Sequence, residues 1–330
     1  MAAFERILVT GGAGFVGGHL CGALAEAYPQ ATLSLLLRPG ERGGHEAFAA
    51  AVADLVDEAA IDALIARVRP DLVVHLAGQS SIGQALHAAE MTWRANFHGS
   101  FALGAAVARH CPTAAFLFAS TAAAYGASFR DGVLNEDAPL RPLDFYSRSK
   151  VAAESALSDL LAAKGRLVVA RPVNHSGPGQ RNRNFALASF AAQIAAIETG
   201  RAEPRLVVGD LSKARDFLDV RDVVDAYMRL IEKARDLPAS VSIFNIASGT
   251  AHRLEALLER LRGRAKAQFA IEVDPALLRP GGSDLASVAC DATRLTEATG
   301  WRPRHDIDDM LQALLDDARA AQTQAATATS

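Results

Sequence analysis

The sequence predicts an α/β fold in which a doubly wound parallel sheet is followed by a smaller C-terminal region. Three observations lead to this prediction. Short apolar strands alternate with helical stretches through about the first 170 residues, which is the pattern of a parallel sheet covered on both faces. A glycine-rich turn at 11–17 joins the first strand to the first helix. After residue 172 the pattern becomes irregular, which indicates a region of different architecture.

The predicted strands are short apolar runs, and the predicted helices between them show the hydrophobic period of about 3.6 residues that is typical of an α-helix. The strands lie at 6–10, 31–37, 50–54, 71–77, 114–119 and 166–170, of which 50–54 is the weakest. Ile61, Leu64, Ile65 and Val68 fall at i, i+3, i+4 and i+7, which predicts an amphipathic helix. Pro70 ends it. Further helices are predicted from the glycine-rich turn to about 27, at 93–109 and from about 146.

The second half of the chain is expected to divide between two regions. Runs at 217–231 and 241–246 resemble a return to the sheet, so the first domain is predicted to comprise 1–172 plus about 209–248. The second region comprises 173–208 plus about 249–319. The last residues, 320–330, are small and polar, and we expect them to form a frayed tail.

Composition excludes several classes of protein. The formal net charge of −3 indicates neither a nucleic-acid partner nor an anionic membrane surface. Cys21, Cys111 and Cys290 are odd in number and far apart, which predicts neither a disulfide framework nor a metal site. A reducing cytoplasm is the expected location. The first eight residues are too short for a signal peptide, and the chain contains no run of about 18 apolar residues that would span a membrane.

The glycine-rich turn places Gly11, Gly14 and Gly17 between a strand and a helix. Glycine lets the chain bend sharply, lets a pyrophosphate approach the backbone, and lets the helix pack closely on the strand. The helix N-terminus at Phe15 and Val16 offers free N–H groups and the positive end of the helix dipole. This context predicts a Rossmann-type fold that binds a dinucleotide.

Two residues bear on the choice of cofactor. NAD-binding folds usually carry an acidic residue about 20 residues beyond the glycines, and here Leu37 and Arg38 stand at that distance. A guanidinium would receive a 2′-phosphate, so NADP(H) is preferred and NAD(H) remains an alternative. Asp54, after the third strand, either accepts a hydrogen bond from adenine or caps the next helix, and the sequence leaves both open.

Tyr146 and Lys150 are four residues apart and so share one helix face. A nearby lysine cation favours the phenolate and lowers the tyrosine pKa, and the same lysine is able to bind a ribose hydroxyl. Ser120 and Thr121 follow the fifth predicted strand, at the carboxyl edge where ligands of such sheets bind. A hydroxyl at that edge would bind a substrate carbonyl and orient Tyr146.

Several segments together resemble the extended short-chain dehydrogenase/reductases, a family of nucleotide-sugar epimerases, dehydratases and reductases. The segments are 10–17, 75–78, Asn96, 120–126 and the stretch from Tyr146 to Glu154. The resemblance extends from Arg6 to about Leu314. It implies that Thr121, Tyr146 and Lys150 form the catalytic triad. It further implies cofactor contacts at Leu55, Leu76, Ala77, Gly78 and Asn96 and a substrate contact at Ser80.

Within this family the second half is most similar to GDP-4-keto-6-deoxy-mannose reductases. The similarity lies at 171–180, 190–198, 208–217, 278–280 and 299–303. It implies a nucleotide-sugar-binding region with substrate contacts at Asn174, Gln193, Val208, Arg215 and Arg279. Two arginines would suit a diphosphate, since guanidinium groups bind phosphates bidentately. The carboxylates of Asp216, Asp219 and Asp222 make a structural salt bridge to Arg215 a competing interpretation.

At two positions the sequence differs from the dehydratases of this family, and this difference narrows the set of reactions that the protein is expected to catalyse. Dehydratases of this family carry a glutamate two residues after the catalytic threonine, sometimes with an aspartate before it, and here Ala122 and Ala123 stand at those positions. Alanine has no proton to give, so the dehydratase loses its general acid. The reductases often keep a carboxylate there too, which leaves the identity of the keto-sugar open.

The sequence therefore predicts NADP-dependent reduction of a GDP-4-keto-6-deoxyhexose to a GDP-6-deoxyhexose of the GDP-rhamnose type. The alternatives are a nucleotide-sugar 4-epimerase that retains NAD and, less favoured, a non-catalytic NADP-binding sensor. The partner is expected to be a GDP-sugar. Many family members form dimers through helices such as those at 102–108 and 152–163, whose alanine-rich faces permit close packing, so a homodimer is also expected.

Overall fold

The computed structural model describes residues 4–278 and 285–327, with side chains to Gln324. The strands in chain order are β1 (Arg6–Thr10), β2 (Thr32–Leu37), β3 (Ala49–Val52), β4 (Leu72–His75), β5 (Ala115–Ala119), β6 (Arg166–Pro172), β7 (Asn174–Ser176), β8 (Arg205–Val208), β9 (Ala214–Asp219), β10 (Val241–Ile246), β11 (Ala251–Arg253), β12 (Ala270–Val273) and β13 (Ser287–Val288).

The helices in chain order are α1 (Phe15–Ala27), α2 (Glu58–Val68), α3 (Ile82–His87), α4 (Ala89–Trp93), α5 (Gly99–His110), α6 (Phe145–Leu161), α7 (Ala186–Glu198), α8 (Val220–Lys233), α9 (Leu254–Arg262), α10 (Thr293–Thr299) and α11 (Ile307–Thr327). A π-helical segment, Arg94–His98, joins α4 to α5, and 3-10 segments lie at Ala122–Asp131 and Pro275–Leu277.

A parallel sheet forms the centre of the described structure. Its seven strands follow the order β10-β6-β5-β4-β1-β2-β3, and every neighbouring pair is parallel. The order reverses between β1 and β4, so the glycine-rich turn after β1 lies at the topological switch point, where ligands of such sheets bind. The predicted α/β, Rossmann-type doubly wound fold is confirmed.

Apolar side chains cover both faces of this sheet. On one face, Ile61 of α2, Leu103 of α5 and Leu157 of α6 are completely buried in one cluster. On the other face, Leu20 of α1 and Leu230 of α8 belong to a second cluster. Strands buried on both faces require nearly continuous apolar sequence, which explains why they were recognisable as short aliphatic runs.

A smaller region adjoins the carboxyl edge of the sheet. Its short strands β7, β11 and β13 all pair with β9, and β8 pairs with β12. Helices α7, α9 and α11 enclose a separate apolar cluster that includes Ile194, Leu258 and Leu311. Because β9 pairs within this smaller region, the chain returns to the main domain with α8 at Val220, rather than near 209, and rejoins the sheet itself at β10.

The chain ends differ from the expectation as well. Helix α11 continues to Thr327, through most of the segment 320–330 that the sequence predicted to be frayed. Alanine has the highest helix propensity of any residue, and this segment is rich in it. Among the described residues, no helix combines the length and apolar character needed to cross a membrane.

Candidate active site

The glycine-rich turn approaches neighbouring backbone so closely that side chains would not fit. Gly11 has φ +73°, and a Cβ there would lie 2.7 Å from the backbone nitrogen of Ala77. A Cβ on Gly17 would lie 2.2 Å from the carbonyl oxygen of Gly11. Gly14 precedes α1, whose first turn carries no acidic side chain. The turn therefore forms a backbone cradle at a helix N-terminus, which suits a pyrophosphate.

A groove beside the ends of β2 and β3 suits the adenosine end of a dinucleotide. It is open to solvent and lined by Arg38, Gly40, Glu41 and Asp54, together with Pro39. The structure decides between the two interpretations of Asp54, because Asp57 caps α2 by accepting the Ala60 N–H over 3.0 Å. Asp54 is therefore not the helix cap, and its side chain faces the groove.

Asn96 ties the loop after β4 to α6. The π-helical segment directs its buried side chain inward, where Oδ1 accepts the Gln79 N–H over 2.8 Å. Its Nδ2 donates to the Gln79 carbonyl over 3.1 Å and to Ser149 Oγ over 3.0 Å. A Cβ on Gly78 would lie 2.6 Å from Asn96 Oδ1 and 3.7 Å from Lys150 Nζ. Asn96 thus holds the backbone of Gln79, and with it the neighbouring Gly78, close to Lys150.

The remaining predicted cofactor residues lie along the same edge of the sheet. The Ala77 N–H donates to Thr10 Oγ1 over 3.2 Å, and the Leu76 N–H donates to the Thr10 carbonyl. Leu55 packs against Gly99, where an added Cβ would come within 3.0 Å of the leucine Cβ. Ser80 is exposed beyond Gln79. The structure therefore places Leu76 and Ala77 directly beside the end of β1, and the cofactor contacts of these residues stay predictions.

His75 anchors this edge through a chain of hydrogen bonds that sequence reasoning did not identify. Its Nδ1 lies 2.6 Å from Thr10 Oγ1, its Nε2 lies 2.9 Å from Ser100 Oγ, and Ser100 donates to the Asn96 carbonyl over 2.5 Å. Burial, helped by the Lys150 charge, lowers the His75 pKa to about 3. The ring is therefore neutral. Since the single Ser100 proton goes to Asn96, His75 Nε2 must donate to Ser100 and Nδ1 must accept from Thr10.

The predicted triad comes together at the carboxyl end of β5. Thr121 follows the strand, and Tyr146 and Lys150 lie one turn apart on α6. All three are at least nine-tenths buried, and the Thr121 side chain is hydrogen-bonded to the Tyr146 phenol. Lys150 Nζ donates to the Ala119 carbonyl over 2.7 Å. The arrangement joins a hydroxyl, a phenol and an ammonium group in one cleft.

Burial dominates the titration of the triad. It raises the pKa of Tyr146 to about 12, and the hydrogen bond with Thr121 opposes this shift. Lys150 was expected to lower the tyrosine pKa, but the net shift is upward, and the lysine ammonium is hydrogen-bonded to Ala119 instead. Burial lowers the Lys150 pKa to about 8, against the influence of Glu154. At neutral pH the site thus holds a neutral phenol and a cationic lysine.

A buried ion pair lies next to the triad. Arg171 donates to Glu154 through Nη2 over 2.6 Å and through Nε over 3.1 Å. Glu154 also accepts a hydrogen bond from Ser120, the residue before Thr121. Arg171 Nη1 donates to Tyr125 Oη over 3.1 Å, and Tyr125 donates to Asn245 Oδ1 over 2.7 Å. This network connects α6, β6 and β10 next to Ser120 and Thr121.

The predicted substrate residues are spread around the smaller region. Asn174 is exposed at the start of β7, and Val208 is buried at the end of β8. The Gln193 side chain is hydrogen-bonded within the protein: its amide group donates to the Val207 carbonyl over 3.0 Å and accepts the Val207 N–H over 2.8 Å. Arg215 donates to the Leu285 carbonyl over 2.8 Å. Arg279 lies outside the described residues.

The carboxylates near Arg215 have partners of their own. Asp216 accepts from Ser248 Oγ over 2.6 Å, and Asp219 pairs with Arg221 over 2.6 Å. Asp222 accepts from the His305 backbone N–H over 3.0 Å. Within the described part of the chain, no group of three or more histidine, cysteine, aspartate or glutamate side chains is arranged to hold a metal ion.

Side-chain contacts bring α1 next to β7 and the loop that follows it. The Phe15 ring stacks on His175 with 6.2 Å between ring centroids. One turn further along α1, His19 Nε2 lies 2.8 Å from the Pro178 carbonyl oxygen. The helix after the glycine-rich turn and the segment that follows the predicted substrate residue Asn174 are therefore in direct contact.

Comparison with known proteins agrees with this geometry. A model of the NAD dependent epimerase/dehydratase family matches residues 7–247. GDP-6-deoxy-D-mannose reductase of Pseudomonas aeruginosa is 35% identical over 321 residues, covering 95% of this chain and 97% of that protein. UDP-glucose 4-epimerase of Azospirillum brasilense is 30% identical over 335 residues, covering 95% of this chain and 92% of that protein.

Solved structures of similar fold contain both nicotinamide cofactors. RMD of Pseudomonas aeruginosa complexed with NADPH superimposes with a TM-score of 0.79 at 32% identity, covering 96% of this chain and 100% of that chain. Thermus thermophilus UDP-glucose 4-epimerase in complex with NAD gives a TM-score of 0.79 at 26% identity, covering 96% and 100%.

Fold and site together define an NAD(P)-dependent oxidoreductase of the extended short-chain dehydrogenase/reductase class. More particularly, the chain belongs to the NAD dependent epimerase/dehydratase family, whose model matches residues 7–247. The resemblance noted from the sequence motifs is confirmed. The glycine cradle fits a nicotinamide dinucleotide, because its three glycines leave room for a pyrophosphate against the backbone.

Proposed function

We propose that this chain reduces the 4-keto group of a GDP-4-keto-6-deoxyhexose with NADP(H) and yields a GDP-6-deoxyhexose of the GDP-rhamnose type. The observation that carries the proposal is the buried Tyr146, whose phenol is neutral at physiological pH and so able to give a proton to an alkoxide. The similarity to GDP-6-deoxy-D-mannose reductase over nearly the whole chain supports the substrate class.

The residues of the site would divide the reaction between them. A bound nicotinamide dinucleotide supplies the hydride. The Thr121 hydroxyl donates a hydrogen bond to the substrate carbonyl oxygen and fixes it beside Tyr146. Tyr146 then gives its proton to the oxygen as the negative charge develops. Lys150, charged and held by the Ala119 carbonyl, donates to a ribose hydroxyl of the cofactor and stabilises the phenolate that remains.

The cofactor assignment rests on the groove after β2. The Arg38 side chain is 74% exposed there, so a 2′-phosphate has direct access to its guanidinium. The solved structure of RMD with NADPH supports NADP(H) as the preferred cofactor, and the NAD-bound epimerase supports NAD(H) as the alternative.

Dehydratase chemistry lacks an acid at this site. Ala122 and Ala123 begin the 3-10 segment after β5, and the Ala123 N–H donates to Thr121 Oγ1 over 3.1 Å. The positions where dehydratases carry carboxylates therefore contribute only backbone groups and methyl groups. Reduction needs no such acid beyond Tyr146.

A nucleotide-sugar 4-epimerase is the second candidate, and the similarity to UDP-glucose 4-epimerases favours it. An epimerase oxidises and re-reduces the same carbon, so it retains its NAD and consumes none.

The discriminating experiment mixes purified protein with NADPH and enzymatically prepared GDP-4-keto-6-deoxy-mannose, with NADH in parallel, and follows nicotinamide absorbance. Loss of NADPH together with a new GDP-6-deoxyhexose supports the reductase. Interconversion of UDP-glucose and UDP-galactose without net loss of cofactor supports the epimerase.

The pH dependence of the reductase should report on Lys150. Its pKa is lowered to about 8 by burial, so its charge is present below pH 8 and is lost as the pH rises through 8. We expect kcat/KM for NADPH to fall by about tenfold per pH unit above 8, whereas Tyr146 stays protonated because its pKa is about 12. Residual activity of Lys150→Arg should lack this fall, since arginine keeps its charge. A wild-type profile flat to pH 10 would exclude the assigned role.

We further propose a homodimer and a cytoplasmic location. Trp93 of α4, Phe97 of the π-helical segment and Phe101 of α5 form an aromatic row, with centroid distances of 6.0 and 6.3 Å. Phe101 is 40% exposed and nearby Met91 is 72% exposed, so a second copy packed on this row would bury them. Light scattering of the purified protein measures the oligomeric state.

A further inference from the structure

The turn after β2 holds a cation and a carboxylate side by side. The Glu41 N–H donates to the Arg38 carbonyl over 3.0 Å. In return, the Glu41 carboxylate accepts the Arg38 backbone N–H over 2.9 Å, and its other oxygen lies 3.6 Å from the Arg38 guanidinium. Gly40 has φ +80° within this turn. The turn itself therefore fixes the Glu41 side chain beside Arg38.

This carboxylate lies in the groove where the adenosine end of the dinucleotide is expected. Arg38, Glu41 and Asp54 are its ionisable lining residues, and one positive and two negative groups leave a formal charge of −1. A 2′-phosphate brings a further charge of about −1.5 to −2. The groove thus presents a guanidinium that attracts the phosphate and, within 4 Å of it, a carboxylate that repels the phosphate.

We propose that Glu41 limits the preference of this chain for NADP over NAD. The inference rests on the proposed dinucleotide-dependent function and names the residue that tunes its cofactor choice. Glu41 engages the guanidinium that a 2′-phosphate requires and also repels the phosphate directly. NAD meets no such repulsion, because its ribose carries a free 2′-hydroxyl, for which a carboxylate at this edge of the fold is a suitable acceptor.

The size of the effect follows from simple electrostatics. Repulsion in water between a carboxylate and a nearly dianionic phosphate at about 5 Å weakens binding by about tenfold. The exposed Arg38–Glu41 pair adds little of its own, since an ion pair in contact with solvent is weak. Salt should reduce the effect, because at about 0.15 M it screens exposed charges over roughly 8 Å.

The test compares two adenosine fragments that differ only in the 2′-phosphate. Titration calorimetry of the full chain measures the Kd of 2′,5′-ADP and of 5′-AMP, for wild type and for Glu41→Gln. Glutamine keeps an acceptor oxygen for the Arg38 N–H and so preserves the turn. Glu26→Gln, at an exposed site on α1 outside the groove, removes the same formal charge and is the matched control.

We expect Glu41→Gln to tighten 2′,5′-ADP by about tenfold and to change 5′-AMP by less than about twofold, with a smaller gain at high salt. Glu26→Gln should change neither. Equal changes for the two fragments, no change, or no binding of either fragment to any variant would overturn the inference. The fragments carry no sugar substrate, so a failed reductase assay beside the expected fragment result would overturn only the proposed function.

Discussion

Tyr146→Phe is expected to lower kcat by about 10²- to 10⁴-fold, the usual contribution of a positioned general acid. The change removes one oxygen from a side chain that is only 8% exposed. The ring keeps its packing, so the affinity for NADPH and the midpoint of thermal unfolding should stay close to wild type. Stopped-flow measurement of NADPH oxidation, with fluorescence titration of NADPH binding, separates the chemical step from cofactor affinity.

Tyr28→Phe is the matched control for this experiment. Among the described residues, the buried Tyr28 hydroxyl has no hydrogen-bond partner, and Tyr28 lies at the far end of α1 from the glycine-rich turn. Its loss should leave kcat unchanged. If Tyr146→Phe kept kcat within a few-fold of wild type, another group would have to supply the proton. If wild type and variant bound NADPH equally but neither turned over any keto-sugar, the sensor interpretation would gain support.

Arg171→Met is expected to destabilise the protein by about 3–5 kcal/mol, the typical effect of removing one partner of a buried ion pair. The side chains of Arg171 and Glu154 are 3% and 6% exposed. Methionine would leave the Glu154 carboxylate without its cation and Tyr125 without one of its hydrogen bonds. Urea unfolding followed by circular dichroism measures the loss as a lower midpoint at an unchanged slope.

Two further variants show whether burial causes the loss. The double variant Glu154→Met/Arg171→Met removes both charges and should recover much of the stability, because no uncompensated charge remains. Arg205→Met breaks the Arg205–Glu272 pair, whose side chains are 53% and 52% exposed, and should change the free energy of unfolding by less than about 1 kcal/mol. An Arg171→Met variant as stable as Arg205→Met would contradict the structural role of the network.

The elements that the sequence predicted well are those with continuous apolar character. Strand β1, helix α1 and strand β5 were placed within a residue or two, because strands buried on both faces and the helices that cover them have strong hydrophobic periods. The glycine-rich turn was equally predictable. Gly11 and Gly17 have no room for a side chain, so the structure requires glycine at these positions, and the glycine spacing is visible in the sequence. The four-residue spacing of Tyr146 and Lys150 predicted their shared helix face, whereas the triad with Thr121 was implied by the family resemblance and its catalytic role stays a prediction.

Other features depend on contacts between residues distant in sequence. The strands of the smaller sheet, such as β7 and β11, are three residues long and carry too little pattern to be recognised. Gln193 binds the Val207 backbone because α7 packs beside β8, a neighbour relation that spacing does not encode. The pKa of Tyr146 rose rather than fell because burial, reinforced by the Asp144 charge, outweighed the hydrogen bond with Thr121, and the extent of burial is a property of the finished fold.

The π-helical segment Arg94–His98 also has a consequence for how this protein tolerates changes in length. A π turn corresponds to an α-helix with one additional residue, so the helical stretches before and after it keep their own packing while Asn96 is turned toward the cleft. Loss of one residue from this segment would restore a regular helix with both flanks still in place, and the side chain of Asn96 would no longer be turned toward the cleft. The smallest genetic step that displaces Asn96 is therefore an in-frame deletion of a single codon.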